Sequence, residues 1–342
     1  MDQYSIVNIQ HKMSIDVYSS ALARFAGKRV MVIGDLMLDE HVWGTVERIS
    51  PEAPVMVVQV DSEPDFLPGG AANVANNIRA LGGEAGVVGV VGDDEGGEIL
   101  KQVLSNEGID ISGMFVDDKR PTTRKTRVWA SHRHQVVRID RESKRRVSHG
   151  MVERMVAYIS SRLPEMDAVL ISDYAKGVIS KETVSAAASA SAGRVCVSNP
   201  KPRNISCFAG DGIITLNQSE ASAASGIEID EAADVERAGR KLLGSTRCSG
   251  LVITRGAHGL CVFERDGRMR AIPAIETEVY DVAGAGDTVV SALTMALASG
   301  LGLTEAATIA NCAGAAVVRK VGVATTTCAE IEALLTANSG SY

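Results

Sequence analysis

Aromatic side chains are scarce, 4% of the 342 residues with only two tryptophans. A base-stacking platform for single-stranded nucleic acid, which needs repeated exposed rings, is therefore not expected. A basic excess is missing too: 35 Lys and Arg against 42 Asp and Glu leave a net charge of −7. Nothing global draws this chain to nucleic acid or an anionic membrane, so any anionic ligand must be held locally. The six cysteines form no CxxC pair and no metal-finger spacing, which fits reduced thiols in a cytosol. The N-terminal run MDQYSIVNIQHKMSID has neither a basic start followed by an apolar run nor a small-residue cleavage site, so a cytoplasmic location is expected. The longest uncharged stretch, Thr288 to Thr304, is broken by Ser291, Thr294, Ser299, Gly300 and Gly302, and reads as a buried helix rather than a membrane span. Neither GxxxxGK[ST] nor GxGxxG occurs: Leu22 stands where the first glycine before Gly27-Lys28 belongs, and Val289 stands at the third glycine position after Gly284 and Gly286. A P-loop enzyme and a dinucleotide dehydrogenase are thereby disfavoured.

The apolar residues, 45% of the chain, form β-rich runs at Val30 to Ile33, Gly86 to Val91, Ala168 to Ser172, Ile213 to Leu216 and Leu251 to Thr254. Continuous rather than alternating apolarity predicts strands covered on both faces. Between them, helical spacing is found at Asn73 to Leu81, Gly97 to Leu104, Lys181 to Ala192, Ala232 to Leu243, Asp287 to Ser299 and Thr304 to Lys320. This alternation predicts an α/β fold, a doubly wound and mainly parallel sheet with ligands at the carboxyl ends of its strands. Two stretches, 42–60 and 124–140, carry strand-like residues with no neighbouring helix; they are expected to pair as a small antiparallel β-lid, a solvated edge hairpin being the plainer reading. The expected division is an N-terminal extension over 1–27, an α/β core over 28–41, 61–123 and 141–342, and the two lid segments.

The strongest chemical signal is Asp281-Val282-Ala283-Gly284-Ala285-Gly286-Asp287-Thr288, running straight into a helix. Small residues let backbone N–H groups face outward, and a helix start adds positive partial charge, so Gly284, Ala285 and Gly286 suit an anion hole with Asp287 at its rim. Helix-start amides are also expected to hold the Asp287 pKa down. Upstream, Asp35 and Asp39 follow the first strand and suit polyol hydroxyls, and Gly69-Gly70 forms a turn leading to Asn73, which also suits a helix cap.

In this order, GDLMLDEH, PGGAANVANNIRALG, GVVGVVGDDEGG and DVAGAGDTVVSAL resemble the ribokinase-like (PfkB) family of carbohydrate kinases, over about Lys28 to Thr327. ERISPEAPV, RHQVVRID and SDYAKGVIS further resemble the bacterial D-glycero-β-D-manno-heptose-7-phosphate kinases, which make heptose 1,7-bisphosphate for the lipopolysaccharide core. Many of those are fused to a nucleotidyltransferase; with the chain ending at Tyr342, the resemblance implies the kinase alone. It implies Asp287 as the base, with Gly284, Ala285 and Gly286 around the transferred phosphoryl group. Asp35, Asp39, Gly69, Gly70 and Asn73 would meet the sugar, and Lys176 and Arg138 its phosphate, with Arg124, Lys201 and Arg203 in reserve. ATP and Mg²⁺ would be met by Asn199, Asn217, Glu220, Thr254, Gly256, Gly259 and Asn311. A potassium ion would sit among Asp281, Ala283, Gly322 and Thr326, although Val282 replaces a threonine common in the family. A homodimer through the lid is also implied. The alternatives are a kinase for fructose phosphate, ribose or a nucleoside, and a non-catalytic sugar-binding or regulatory protein.

Overall fold

The computed structural model describes residues 15–130, 134–191, 193–210 and 212–338. Arg133 of the RHQVVRID run, and residues 1–14 of the expected N-terminal extension, lie outside them. Seven parallel strands make the body of the larger sheet: β1 (Arg29–Gly34), β5 (Glu84–Gly92), β6 (Asp110–Asp117), β9 (Ala168–Ser172), β10 (Val195–Asn199), β11 (Ile213–Asn217) and β12 (Gly250–Thr254). An antiparallel edge follows from β13 (Leu260–Glu264) and β14 (Met269–Ile272), and the spatial order is β14-β13-β12-β11-β10-β9-β1-β5-β6. Successive side chains of a strand point to opposite faces. Val30 and Val32 accordingly join one apolar core while Met31 and Ile33 join another on the far face, and Ala168 and Leu170 are divided from Val169 and Ile171 in the same way. This is why the strand sequences are apolar throughout. One core is closed by α2 (Ala71–Ala80), α8 (Ala285–Ala298) and α9 (Leu303–Val317), the other by α4 (His149–Arg162), α5 (Lys181–Ala190) and α7 (Ala232–Thr246). Further helices complete the layers: α1 (Ile15–Ala23), α3 (Glu95–Asn106), α6 (Gln218–Ser225) and α10 (Cys328–Asn338).

The smaller sheet joins two hairpins. In one, β2 (Leu36–Ile49) pairs antiparallel with β3 (Met56–Val60) and with β4 (Asp65–Gly70); in the other, β7 (Thr123–Ala130) pairs antiparallel with β8 (His134–Arg141). Between the hairpins, β2 and β7 run parallel. The reason is topological: β2 leaves the carboxyl end of β1 and β7 follows that of β6, two strands of one parallel sheet, so both run outward in the same direction. Pro68-Gly69-Gly70, expected as a turn, finishes β4 instead. Gly70 is required at the junction because its φ of +56° opens α2 and an added Cβ would lie 2.6 Å from the Asp35 carbonyl oxygen.

Candidate active site

Helices α2 and α8 pack side by side, and polar side chains at their N-terminal ends build the site. Gly284, at φ +77° in the left-handed region, precedes α8 and places Asp287 as its third residue. From α2, Asn73 Nδ2 donates to Asp287 Oδ2 at 2.7 Å, and the hydroxyl of Tyr174 donates to Oδ1. A second pair fixes the helices to each other, Thr288 Oγ1 donating to Asn77 Oδ1 at 2.7 Å, and Ser291 Oγ donates to the Val74 carbonyl at 3.1 Å. Asn73 is thus a buried anchor for the carboxylate rather than a helix cap, since Gly70 occupies the cap position. Burial is the largest influence on Asp287 and pushes its pKa up to about 6, against the pull of both hydrogen bonds. The helix-start argument from sequence therefore has the sign reversed: the side chain is only 8% exposed, and desolvation dominates. Burial and the neighbouring Asp287 charge raise the Tyr174 pKa well above its usual value, so Tyr174 remains a hydrogen-bond donor.

On one side of Asp287 opens a cavity of about 110 Å³ lined by Asn199, Asn217, Glu220, Thr254 and Gly286. Asn217 and Glu220 cap α6 reciprocally, at 2.8 and 2.9 Å, and Lys201 pairs with Glu220 while its ammonium lies 5.2 Å from the Tyr174 ring centre. On the other side stands Asp39, whose Oδ1 lies 2.8 Å from Arg127 Nη1. That contact is an ion pair without hydrogen-bond alignment, so both atoms keep bonding capacity although buried. Gly69 lets the carboxylate lie flat on the backbone, for a Cβ there would sit 3.0 Å from Asp39 Cγ. A buried carboxylate at a helix start, with a polar pocket on one side and a second acid on the other, is an arrangement able to serve phosphoryl transfer to a hydroxyl.

The sequence matches the description "pfkB family carbohydrate kinase" over residues 28–330. The chain belongs to that family. This PfkB carbohydrate kinase is 46% identical over 303 residues to the bifunctional protein HldE of Geobacter metallireducens, covering 88% of this chain and 61% of that protein. It is 43% identical over 307 residues to the bifunctional protein HldE of Helicobacter hepaticus, covering 89% and 63%. The chain thus spans somewhat under two thirds of the length of these curated relatives. Among solved structures it resembles Escherichia coli phosphofructokinase-2 in complex with potassium, with a TM-score of 0.74, 20% identity and coverage of 92% and 99%. It also resembles Arabidopsis thaliana ribokinase complexed with ribose and ATP, at 0.69, 18%, 90% and 99%. These two likenesses support the ribokinase-like fold.

Several residues of this PfkB kinase stand elsewhere than expected. Asp35 is 1% exposed and accepts backbone N–H groups of Tyr174, Lys176 and Val178 at 2.8, 3.1 and 3.2 Å. It fixes the loop that carries Tyr174, with two N–H groups on Oδ2 and one on Oδ1. Arg124 lies on the lid face opposite Asp39, donating to Glu40 at 2.8 Å, because side chains alternate along β7. Lys201 lines the cavity beside Asp287, and Arg203 donates to the Ala175 carbonyl. Lys176 pairs with Glu142, and Arg138 lies 2.8 Å from Asp140. Lys125, which sequence reasoning missed, joins them: burial first, then the charges of Lys176 and Arg138, depress its pKa, so three cations share one region beyond Asp39. Gly256 and Gly259 shape the turn after β12, and a Cβ at Gly259 would lie 2.1 Å from the Ile272 carbonyl oxygen. Asn311, on α9, donates to the Pro273 carbonyl at 2.9 Å. Asp281 accepts N–H groups from Ala283 and Gly322 at 2.9 and 3.0 Å. Thr326 turns its hydroxyl to Glu330 at 3.0 Å, and Lys320 sets its ammonium 2.8 Å from the Thr325 carbonyl. The potassium set is therefore matched only in part, with Lys320 supplying positive charge beside it. Tyr174, Arg127 and Asn77 were also missed; SDYAKG was noticed for its lysine, whereas its tyrosine touches Asp287.

Proposed function

We propose that this kinase transfers the γ-phosphoryl group of ATP to the anomeric O1 of D-glycero-β-D-manno-heptose 7-phosphate, forming the 1,7-bisphosphate for lipopolysaccharide core heptose. The observation that carries the reading is Asp287, held by Tyr174 and Asn73 between a polar cavity and the Asp39 side. With a pKa of about 6 the carboxylate is mostly ionised at neutral pH, yet basic enough to take a proton. It accepts the O1 proton as O1 bonds to the γ-phosphorus and the bond from that phosphorus to the β–γ bridging oxygen breaks, releasing ADP. Backbone N–H groups at the start of α8, after Gly284, receive charge developing on the phosphoryl oxygens. Mg²⁺, when bound, neutralises charge on the β and γ phosphates. Asn199, Asn217, Glu220 and Thr254 would hold the nucleotide and the water shell of that ion, and the donor set of amides and one carboxylate fits it. The sugar phosphate would lie among Lys125, Arg138 and Lys176, with Asp39 and Gly69 beside the ring hydroxyls. No step is assigned to potassium; activity in potassium against tetramethylammonium salts tests that ion. Incubating the heptose phosphate with ATP and locating the new phosphate by ³¹P NMR tests the reaction, with fructose 6-phosphate and ribose as competing acceptors. Phosphorylation of another panel sugar in place of the heptose phosphate overturns the assignment.

A homodimer through the lid accompanies this reading. The alternation that turns Asp39 toward the site turns Val60, Val137 and Ile139 the other way, and these are 54%, 46% and 57% exposed. A second copy would cover that apolar face. Ile139→Glu should shift sedimentation to the monomer, whereas an unchanged profile refutes the contact.

A further inference from the structure

Both tryptophans of the chain stand on the lid, and both meet one histidine. Trp43 and Trp129 stack with ring centres 5.5 Å apart at 19°, and His41 lies 5.7 Å from Trp129 at 25°. Trp129 Nε1 donates to His41 Nδ1 at 3.2 Å. An indole N–H can only donate, so Nδ1 must offer its lone pair and the neutral imidazole carries its proton on Nε2. That second nitrogen has no hydrogen-bond partner among the described residues, although the residue is only 4% exposed. Native proteins rarely leave a buried donor unmatched, because the lost hydration is not recovered. A ring kept for packing alone would be met without this loss by phenylalanine.

The surroundings narrow what the donor serves. His41 stands opposite Arg127 in the parallel register and two residues beyond Asp39 on β2, so all three share one face of the lid. Of the carboxylates that act on the ring, Asp65 accepts from Trp43 Nε1 at 2.6 Å and Asp281 from the N–H groups of Ala283 and Gly322, while Asp39 faces Arg127 as an ion pair and makes no hydrogen bond to Nε2. Burial and the Arg127 charge lower the imidazole's pKa against those three acids, keeping the ring neutral at pH 7. What is missing is an uncharged or anionic oxygen acceptor on the sugar side.

We propose that His41 Nε2–H donates to an oxygen of the bound sugar, and that Trp129 fixes the tautomer which makes this possible. His41 is then a binding residue and Trp129 a positioning residue. This rests on Asp39 marking the sugar end of the site.

The two tryptophans provide the assay, since the only indoles of the chain adjoin the ring. Sugar binding is titrated by intrinsic fluorescence without ATP, and KM is measured for both substrates. The acceptor is whichever of the heptose 7-phosphate, fructose 6-phosphate or ribose the wild type phosphorylates, so a wrong heptose assignment and a wrong His41 assignment give different results. His41→Phe keeps the ring and removes the donor; it should weaken sugar binding about 5- to 30-fold, with ATP KM within about twofold. His41→Gln, which restores an N–H at similar reach, should recover most of the loss. Trp129→Phe should raise the sugar KM and leave that for ATP unchanged, and it carries the comparison should His41→Phe not fold. Sugar affinity within about twofold of wild type in His41→Phe, or equal losses for sugar and ATP, overturns the proposal.

Discussion

Replacing Asp287 by asparagine tests its chemistry and its burial at once. As the base, its loss should lower kcat by about 10² to 10⁴ while leaving the nucleotide KM largely intact. The structure adds a second, opposite effect on stability. Displacing the pKa from 3.8 to about 6 makes the ionised form roughly 3 kcal/mol less favourable in the folded chain than in the unfolded one. Because the folded pKa is the higher, the native state binds the proton more tightly. The penalty is therefore absent below the ordinary carboxylate value, where both states are protonated, and complete above about 6. The asparagine side chain is nearly isosteric with the protonated acid and can accept from Asn73 while donating to the Tyr174 oxygen. The Asp287→Asn variant should thus be the more stable protein at neutral pH, its advantage growing by about 2 kcal/mol between about pH 4.5 and pH 8. Urea unfolding of both proteins at several pH values, beside steady-state kinetics, measures this. A stability difference flat with pH would mean that the carboxylate is not desolvated, and near-normal turnover would remove it as the base.

Tyr174→Phe deletes a hydrogen bond to the ionised form of Asp287, so the acidic limb of kcat/KM should move upward by about one to two pH units; a uniform loss at every pH would instead indicate a merely structural role. Lys176→Ala should raise KM for the phosphosugar at least about tenfold and that for ATP by less than about twofold, and equal effects would detach Lys176 from the phosphate. Asp35→Asn keeps an oxygen for the two N–H groups at Oδ2 but sets an amide donor against that of Val178, and should cost about 1 to 3 kcal/mol of stability with a fall in kcat as the Tyr174 loop loosens. If Asp35 were a sugar ligand, sugar KM would rise at unchanged stability.

The layered fold was legible because burial on both faces leaves a mark in the sequence: runs such as Ala168 to Ser172 have no polar residue to spare until their carboxyl ends. Helices α1, α4, α6 and α10 were not read, and β6, β10, β13 and β14 were also missed, because shorter or more mixed apolar patterns do not separate strand from helix by period alone. The parallel join of β2 and β7 follows from where each leaves the main sheet, which is a property of topology and not of either segment.

Within the site, residue type singled out the polar residues, and geometry gave each its partners. Asp35 and Asp39 are four residues apart and chemically identical, and sequence reasoning treated them alike. What separates them is the backbone around each: Asp35 meets three N–H groups of the 174–178 loop, whereas Asp39 meets Gly69, which offers no side chain, and an arginine set out of alignment. The same holds for Asp287, whose place at a helix start implied a depressed pKa until the helix was seen to be buried against α2. A titratable group's function therefore depends on which donors reach it and how much water remains, and both are set by chain segments distant in sequence, here Asn73 and Tyr174 for a residue numbered 287. Such long-range partners leave a signal only as polar residues inside otherwise apolar helical faces. Asn73 and Asn77 on α2 are that signal, one reaching Asp287 and the other Thr288, and they mark α2 as the helix that must pack against α8.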